Sequence, residues 1–227
     1  MKSFKQFLLE QSQSQQIKCD INGICKIIRK YESAGNEKKI LSKYLDSKGL
    51  ETIGHGHLIT PESKQIFSDV FPAEHKVDPD FGKKALDGLI SLTPAQVETL
   101  FARDVQSKLP GVVKMIPEFE SMTSELQGEL VSEHFRGMLG KSPKAISLLN
   151  QGKYNEAANE YLNSTEYREA KGTKDTKPKN PGLAPRMENL ANAIRTEVQR
   201  RKERQQSSQS TNQVPPNSST SQTSPSR

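Results

Sequence analysis

The chain has 227 residues, 32% of them hydrophobic and 26% charged, with no Trp; the length suits one domain or two small lobes sharing a core. No run approaches the roughly 20 apolar residues of a membrane span, and the first residues lack the apolar centre of a secretion signal, so a soluble protein outside the general export pathway is expected. Thirty-three basic against 27 acidic residues give a net charge of +6, which favours a polyanionic partner, whether nucleic acid, an anionic lipid surface or an acidic wall polymer.

Residues 1–10, MKSFKQFLLE, read as a short amphipathic turn or two, and the polar stretch after them as a linker over 11–19. From residue 20 to 32 the pattern is helical, with Ile21, Cys25 and Ile28 at three- and four-residue steps; Gly35 and Asn36 stop it. Cys19 and Cys25 are too few for a disulfide scaffold and no Cys/His cluster offers a zinc site, so two reduced thiols and no metal are expected. Between Leu41 and Thr60, β-branched residues alternate with Gly, which predicts a small antiparallel sheet. Residues 61–92, with Pro61, Pro72 and Pro79, read as loop with one short helix near 82–90.

Helices then dominate. Thr93, Pro94 and Gln96 supply an N-cap, a first-turn proline and the partner of a capping box. Val97, Leu100, Phe101 and Val105 share one face, and Pro110 is expected to end or kink this helix. Further helices are predicted over about 124–139, 143–150 and 154–162. A last one carries Met187, Leu190, Ala191, Ile194 and Val198, after the basic loop KGTKDTKPKNPG. Residues 205–227 contain 8 Ser, 5 Gln, 3 Thr and 3 Pro, with Val214 the only aliphatic side chain, and read as a disordered tail. A small sheet followed by many helices is an α+β arrangement.

Special residues are densest between Glu32 and His57. A carboxyl group at a helix C-terminus sits in the negative end of the dipole and, if desolvated, stays protonated to higher pH, as a general acid must. Asp46, beside Ser47 and Gly49 at a strand edge, is expected to have more polar surroundings. Two carboxyl groups pushed apart in this way are the signature of glycoside hydrolysis, although pairs of ordinary surface acids are far commoner.

The strings IIRKYES and KYLDSKGLETIGHGHLIT resemble the phage-type lysozymes of the T-even type, glycoside hydrolase family 24. Asp46 and Thr52 have that family's spacing, and Thr52, Ile53, Gly54, Gly56, His57 and Leu58 match its strand motif letter by letter. LTPAQVETLFARDV, GKYNEAA and GLAPRMENLANAI resemble later family segments in unbroken order. The resemblance implies a lysozyme-like α+β fold over residues 20–204, with a small N-terminal sheet lobe and a larger helical C-terminal lobe. It implies Glu32 as proton donor, Asp46 as the carboxylate that activates water, Thr52 as a holder of that water, and Leu58 and Phe135 as substrate-binding positions. The implied activity is an inverting muramidase acting on the β-1,4 bond between N-acetylmuramic acid and N-acetylglucosamine of bacterial peptidoglycan, as a monomer and without cofactor.

Some features depart from the family. Thirteen residues separate Glu32 from Asp46, five more than the pattern, and Glu37 has the family's spacing instead. Glu32 is preferred because it follows the apolar helix, whereas Glu37 follows Gly35 and Asn36. Pro110 suggests a shorter or bent connection between lobes, and two cleft positions near Ala145 and Glu160 do not match. His57 is expected to be a structural histidine paired with an acid, and His55 a strand-face residue.

MKSFKQFLLE also resembles the capsid-targeting peptides of phage internal head proteins, with Leu8, Leu9 and Glu10 as a prohead-protease site. That implies a protein carried in the virion, or held in the host cytoplasm, and acting on the periplasmic wall. Arg195, Arg200, Arg201, Lys202 and Arg204 offer contacts to packaged phage DNA, or form the solvated face of the last helix. The alternative function is a catalytically silent internal head protein of the same fold; intact Glu32, Asp46 and Thr52 argue against it.

Overall fold

Asp20 opens the first helix: its Oδ1 accepts the Gly23 N–H at 3.0 Å and its carbonyl the Ile24 N–H at 2.9 Å. Helix α1 then runs Ile21–Glu32 and buries Ile24, Cys25 and Ile28. In this computed structural model the described residues are 19–32, 39–46, 49–172, 177–180 and 182–211. Residues 1–10, expected to be a capsid-targeting peptide ending in a cleavage site, and Glu37 lie outside them. Cys19 and Cys25 are both free thiols, and burial pushes both up.

Three short strands, β1 (Tyr44–Leu45), β2 (Glu51–Ile53) and β3 (His57–Leu58), form the expected antiparallel sheet in the order β1-β2-β3. Tyr44 faces Thr52, and Thr52 faces Leu58. The β2–β3 turn needs Gly54, whose φ of 65° an L side chain rarely adopts.

Where loop with one short helix near 82–90 was expected, three helices follow: α2 (Ser63–Val70), α3 (Pro72–Val77) and α4 (Phe81–Leu86), the last overlapping the expected one. Pro72 occupies the first turn of α3, where a missing N–H costs nothing, so this proline starts a helix. Phe67 and Phe71, at a four-residue step, stack edge to face at 5.4 Å and supply the core of this lobe with Ile40, Ile53 and Leu92.

Helix α5 (Pro94–Met115) begins with the predicted capping box: Thr93 Oγ1 accepts from Gln96 N at 3.2 Å and Gln96 Oε1 from Thr93 N at 2.9 Å. It crosses from one core to the other. Val97 and Leu100 belong to the small core; Phe101, Val105, Leu109 and Val112 belong to the large one. Of the end or kink expected at Pro110, the end does not occur: buried Leu109 and Val112 on either side anchor the helix through the proline. Their burial offsets the roughly 3 kcal/mol that an interior proline costs.

The large core gathers α1, α5, α6 (Ser124–Phe135), α7 (Pro143–Asn150), α8 (Tyr154–Leu162), α9 (Thr165–Lys171) and α10 (Leu183–Thr211). Helix α6 stops at Phe135, short of the expected end, and α9 falls on residues for which no helix was foreseen. The last helix runs through residue 211, into the segment read as disordered tail. After Pro185 in its first turn, no Gly or Pro occurs before Pro215, and Arg, Lys, Glu and Gln are good helix formers. A small sheet attached to a mostly helical body is the α+β arrangement expected.

Candidate active site

Leu50 organises the hairpin that carries two of the expected site residues. Asp46, just after β1, donates its N–H to the Leu50 carbonyl at 3.0 Å, and its Oδ1 accepts the Leu50 N–H at 2.9 Å. Thr52, buried at 3% exposure, donates its Oγ1 proton to the same carbonyl at 3.1 Å. A carboxylate held by a backbone N–H lies two hydrogen bonds from a hydroxyl whose proton is already committed. The Thr52 oxygen therefore faces any further partner as an acceptor. Leu58 sits opposite Thr52 on β3 and is 45% exposed.

Glu32 is the last residue of α1, and the residues just before it are tied to neighbouring elements. Arg29 Nη2 pairs with Glu98 Oε2 on α5, while Glu98 Oε1 accepts from His55 Nε2 at 3.2 Å. Tyr31 donates its hydroxyl proton to Glu129 Oε1 on α6 at 2.8 Å and accepts from Asn189 Nδ2 on α10 at 2.7 Å. The Arg186 guanidinium stacks 4.5 Å from the Tyr31 ring centre. Burial pushes the Tyr31 phenol and the Glu129 carboxyl up; for Glu129 the Tyr31 hydrogen bond works in the opposite direction. Helix α1 approaches α6 closely at Gly128, where a β-carbon would lie 3.0 Å from Ile27 Cβ.

His55 is a correction to the expected strand-face residue. It occupies the β2–β3 turn at 5% exposure, and its ring stacks edge to face on Phe101 at 5.0 Å. Phe101 in turn meets half-buried Phe135 at 6.2 Å, which links that predicted substrate position to the turn.

His57 pairs with an acid, as expected: Nδ1 lies 2.7 Å from Asp104 Oδ2, and Arg103 Nη1 donates to Asp104 Oδ1 at 3.0 Å. Its Nε2 lies 3.1 Å from Ser63 Oγ, so Ser63, His57 and Asp104 follow the connection order of a hydrolase triad. Ser63 is fully buried and its oxygen accepts the Thr60 N–H at 3.0 Å, so no substrate reaches it. This cluster fastens the sheet to α2 and α5.

Of the basic residues at the end of α10, two are committed inward. Arg200 and Arg201 donate to fully buried Glu197 at 2.9 and 3.0 Å through Nε, and Arg201 also pairs with Glu118 at 2.9 Å. Arg195 bonds Asn159 at 2.9 Å. Lys202 and Arg204 are exposed. Ala145 and Glu160, the non-matching cleft positions, line one pocket of about 280 Å³ with Lys141, Ser142 and Asn163.

Among the described residues no set of three His, Cys, Asp or Glu is placed to hold a metal ion, and no helix is long and apolar enough to cross a membrane. The sequence reading missed the Tyr31, Glu129 and Asn189 junction. Its one local signal is that Glu129 and Glu133 sit at positions three and seven after Leu126, within the buried stripe of α6. No family model matches the chain, and no curated protein matches it.

Proposed function

We propose that the chain is a muramidase with a lysozyme-like fold, cleaving the β-1,4 bond between N-acetylmuramic acid and N-acetylglucosamine of bacterial peptidoglycan. The observation that carries this reading is the shared anchoring of Asp46 and Thr52 on Leu50. A water lying between them donates one hydrogen bond to the Asp46 carboxylate and one to the acceptor oxygen of Thr52 and turns a lone pair outward to the anomeric carbon; as it attacks, Asp46 takes one proton and the other stays on the new anomeric hydroxyl. Glu32, at the negative end of α1, protonates the leaving oxygen. Water adds directly on the face opposite the departing sugar, so the configuration inverts. Leu58 and Phe135 offer apolar surface to the glycan, and the net charge of +6 favours an acidic wall polymer.

The test is the clearing of outer-membrane-permeabilised bacteria, with anomeric analysis of the fragments. Wild type that clears and an inert Glu32→Gln support the reading. Clearing by Glu32→Gln together with loss in Glu37→Gln moves the acid to residue 37. No clearing by wild type sinks the muramidase and leaves the silent internal head protein. Carriage in a phage capsid, with processing after Glu10, is part of the same reading; an intact Met1 in virions, seen by mass spectrometry, rejects the processing.

A further inference from the structure

Tyr31 is the residue immediately before the proposed acid, and it is where three helices meet. Its hydroxyl is saturated from both sides: Asn189 of α10 donates to it at 2.7 Å, and it donates to Glu129 of α6 at 2.8 Å. Arg186, one turn before Asn189 on α10, covers the ring at 4.5 Å, and Lys30 stands 5.6 Å from it. The carboxylate at the centre of this junction is 6% exposed. Removing a carboxylate from water is costly, and apolar residues of the same volume serve stability as well or better. A buried Tyr–Glu–Asn junction is therefore not explained by stability alone. Hydrogen bonds differ from apolar contacts in that they fix direction and distance, and here they do so one residue from the end of α1.

We propose that Tyr31, Glu129 and Asn189 form a positioning clamp that holds the end of α1, and with it the backbone of Glu32, in the place that proton donation requires. The proposal rests on the muramidase reading. Tyr31 and Glu129 are positioning residues, since neither needs to touch the glycan. Arg29 with Glu98 holds the same helix end from the α5 side, so loss of the clamp leaves α1 folded and docked while freeing its last turn.

The decisive variant is Tyr31→Phe/Glu129→Leu, which keeps the bulk and removes the polar junction. A merely structural junction replaced by apolar groups leaves stability and turnover moving together. A clamp separates them: the melting temperature stays level or rises, KM stays within about twofold, and kcat on solubilised glycan falls by about tenfold or more, as misplacement of a reacting group does. Asn189→Ala is the milder second variant, because half-exposed Asn189 gives up only its donation to Tyr31; kcat is expected to fall about threefold without loss of fold. Unchanged kcat in both folded variants overturns the clamp. Inactive wild type overturns the muramidase reading and the clamp together, whereas active wild type with inert Glu32→Gln and fully active clamp variants overturns the clamp alone.

Discussion

Adding one methyl group at Gly128 moves the end of α1 without touching any polar group of the site. The new β-carbon would lie 3.0 Å from Ile27 Cβ and 3.2 Å from Cγ1, and nearest of all to Cδ1. Carbon atoms rest at about 3.5–4.0 Å, so α1 must withdraw from α6 by roughly 0.5–1 Å. Overpacking of this kind costs about 1–3 kcal/mol. Alanine returns about 1 kcal/mol of helix propensity. The net loss of up to about 2 kcal/mol lowers the melting temperature by up to roughly 8 °C for a domain of this size. Activity is the more sensitive readout, since a displacement of about 1 Å at a reacting group costs up to about a hundredfold. Thermal melts and clearing rates are measured for Gly128→Ala alone and with Ile27→Ala, which removes Cγ1 and Cδ1 from the contact. The double variant is expected to regain much of the activity while losing further stability. Gly128→Ala with melting within about 1 °C and clearing within about twofold of wild type would refute the reasoning.

Thr52→Val keeps the volume of a buried residue and removes the hydroxyl; clearing should fall by about tenfold or more while the hairpin persists, and unchanged clearing excludes Thr52 as a water holder. Glu197→Gln tests the α10 anchor through its pH dependence. Burial pushes the Glu197 carboxyl up, but the Arg200, Arg201 and Thr123 hydrogen bonds outweigh it and hold it below the usual range. A depressed folded value means the stabilisation is present above the unfolded pKa of about 4.3 and is lost as pH falls through the folded value. The melting gap between wild type and Glu197→Gln, about 3 kcal/mol at pH 7, should therefore narrow below about pH 4.5, and a gap constant down to pH 3 counts against it. Pro110→Ala restores a donor for the Gln106 carbonyl and should stabilise by about 1–2 kcal/mol after allowance for the freer unfolded chain; a lower melting temperature would show that the proline is accommodated without cost.

Local chemistry was legible wherever a residue acts on near neighbours. The Thr93 capping box, α7 and α8 at their predicted bounds, and the Asp46–Thr52 hairpin all follow from contacts a few residues apart. Prolines misled in both directions, because Pro72 serves as a first-turn residue and Pro110 is carried by packing on either side. Ser- and Gln-rich composition hid the continuation of α10 past residue 204, since such residues are weak indicators once a helix is already nucleated. The Tyr31 junction was invisible for another reason. Its hydrogen bonds join residues 98 and 158 positions apart, and no periodicity in the sequence encodes such a pairing.

How the sheet and α1 keep a fixed relation follows from one stripe of α5. Glu98, Phe101 and Asp104 recur at three-residue steps, close to one helical turn apart, so they present side chains toward the same side. Glu98 and Phe101 engage His55 in the β2–β3 turn, and Asp104 engages His57 at the start of β3. The hairpin bearing Asp46 and Thr52 is paired in register with this strand, so it inherits the position that the two histidines set. Glu98 also holds Arg29 of α1, and the far half of α5 is packed in the same core as Ile24 and Ile28 of that helix. A rigid helix that belongs to both cores thus carries the coordinates of one lobe into the other. Substituting His55, which carries no chemistry of its own in this scheme, perturbs both ends of that connection at once.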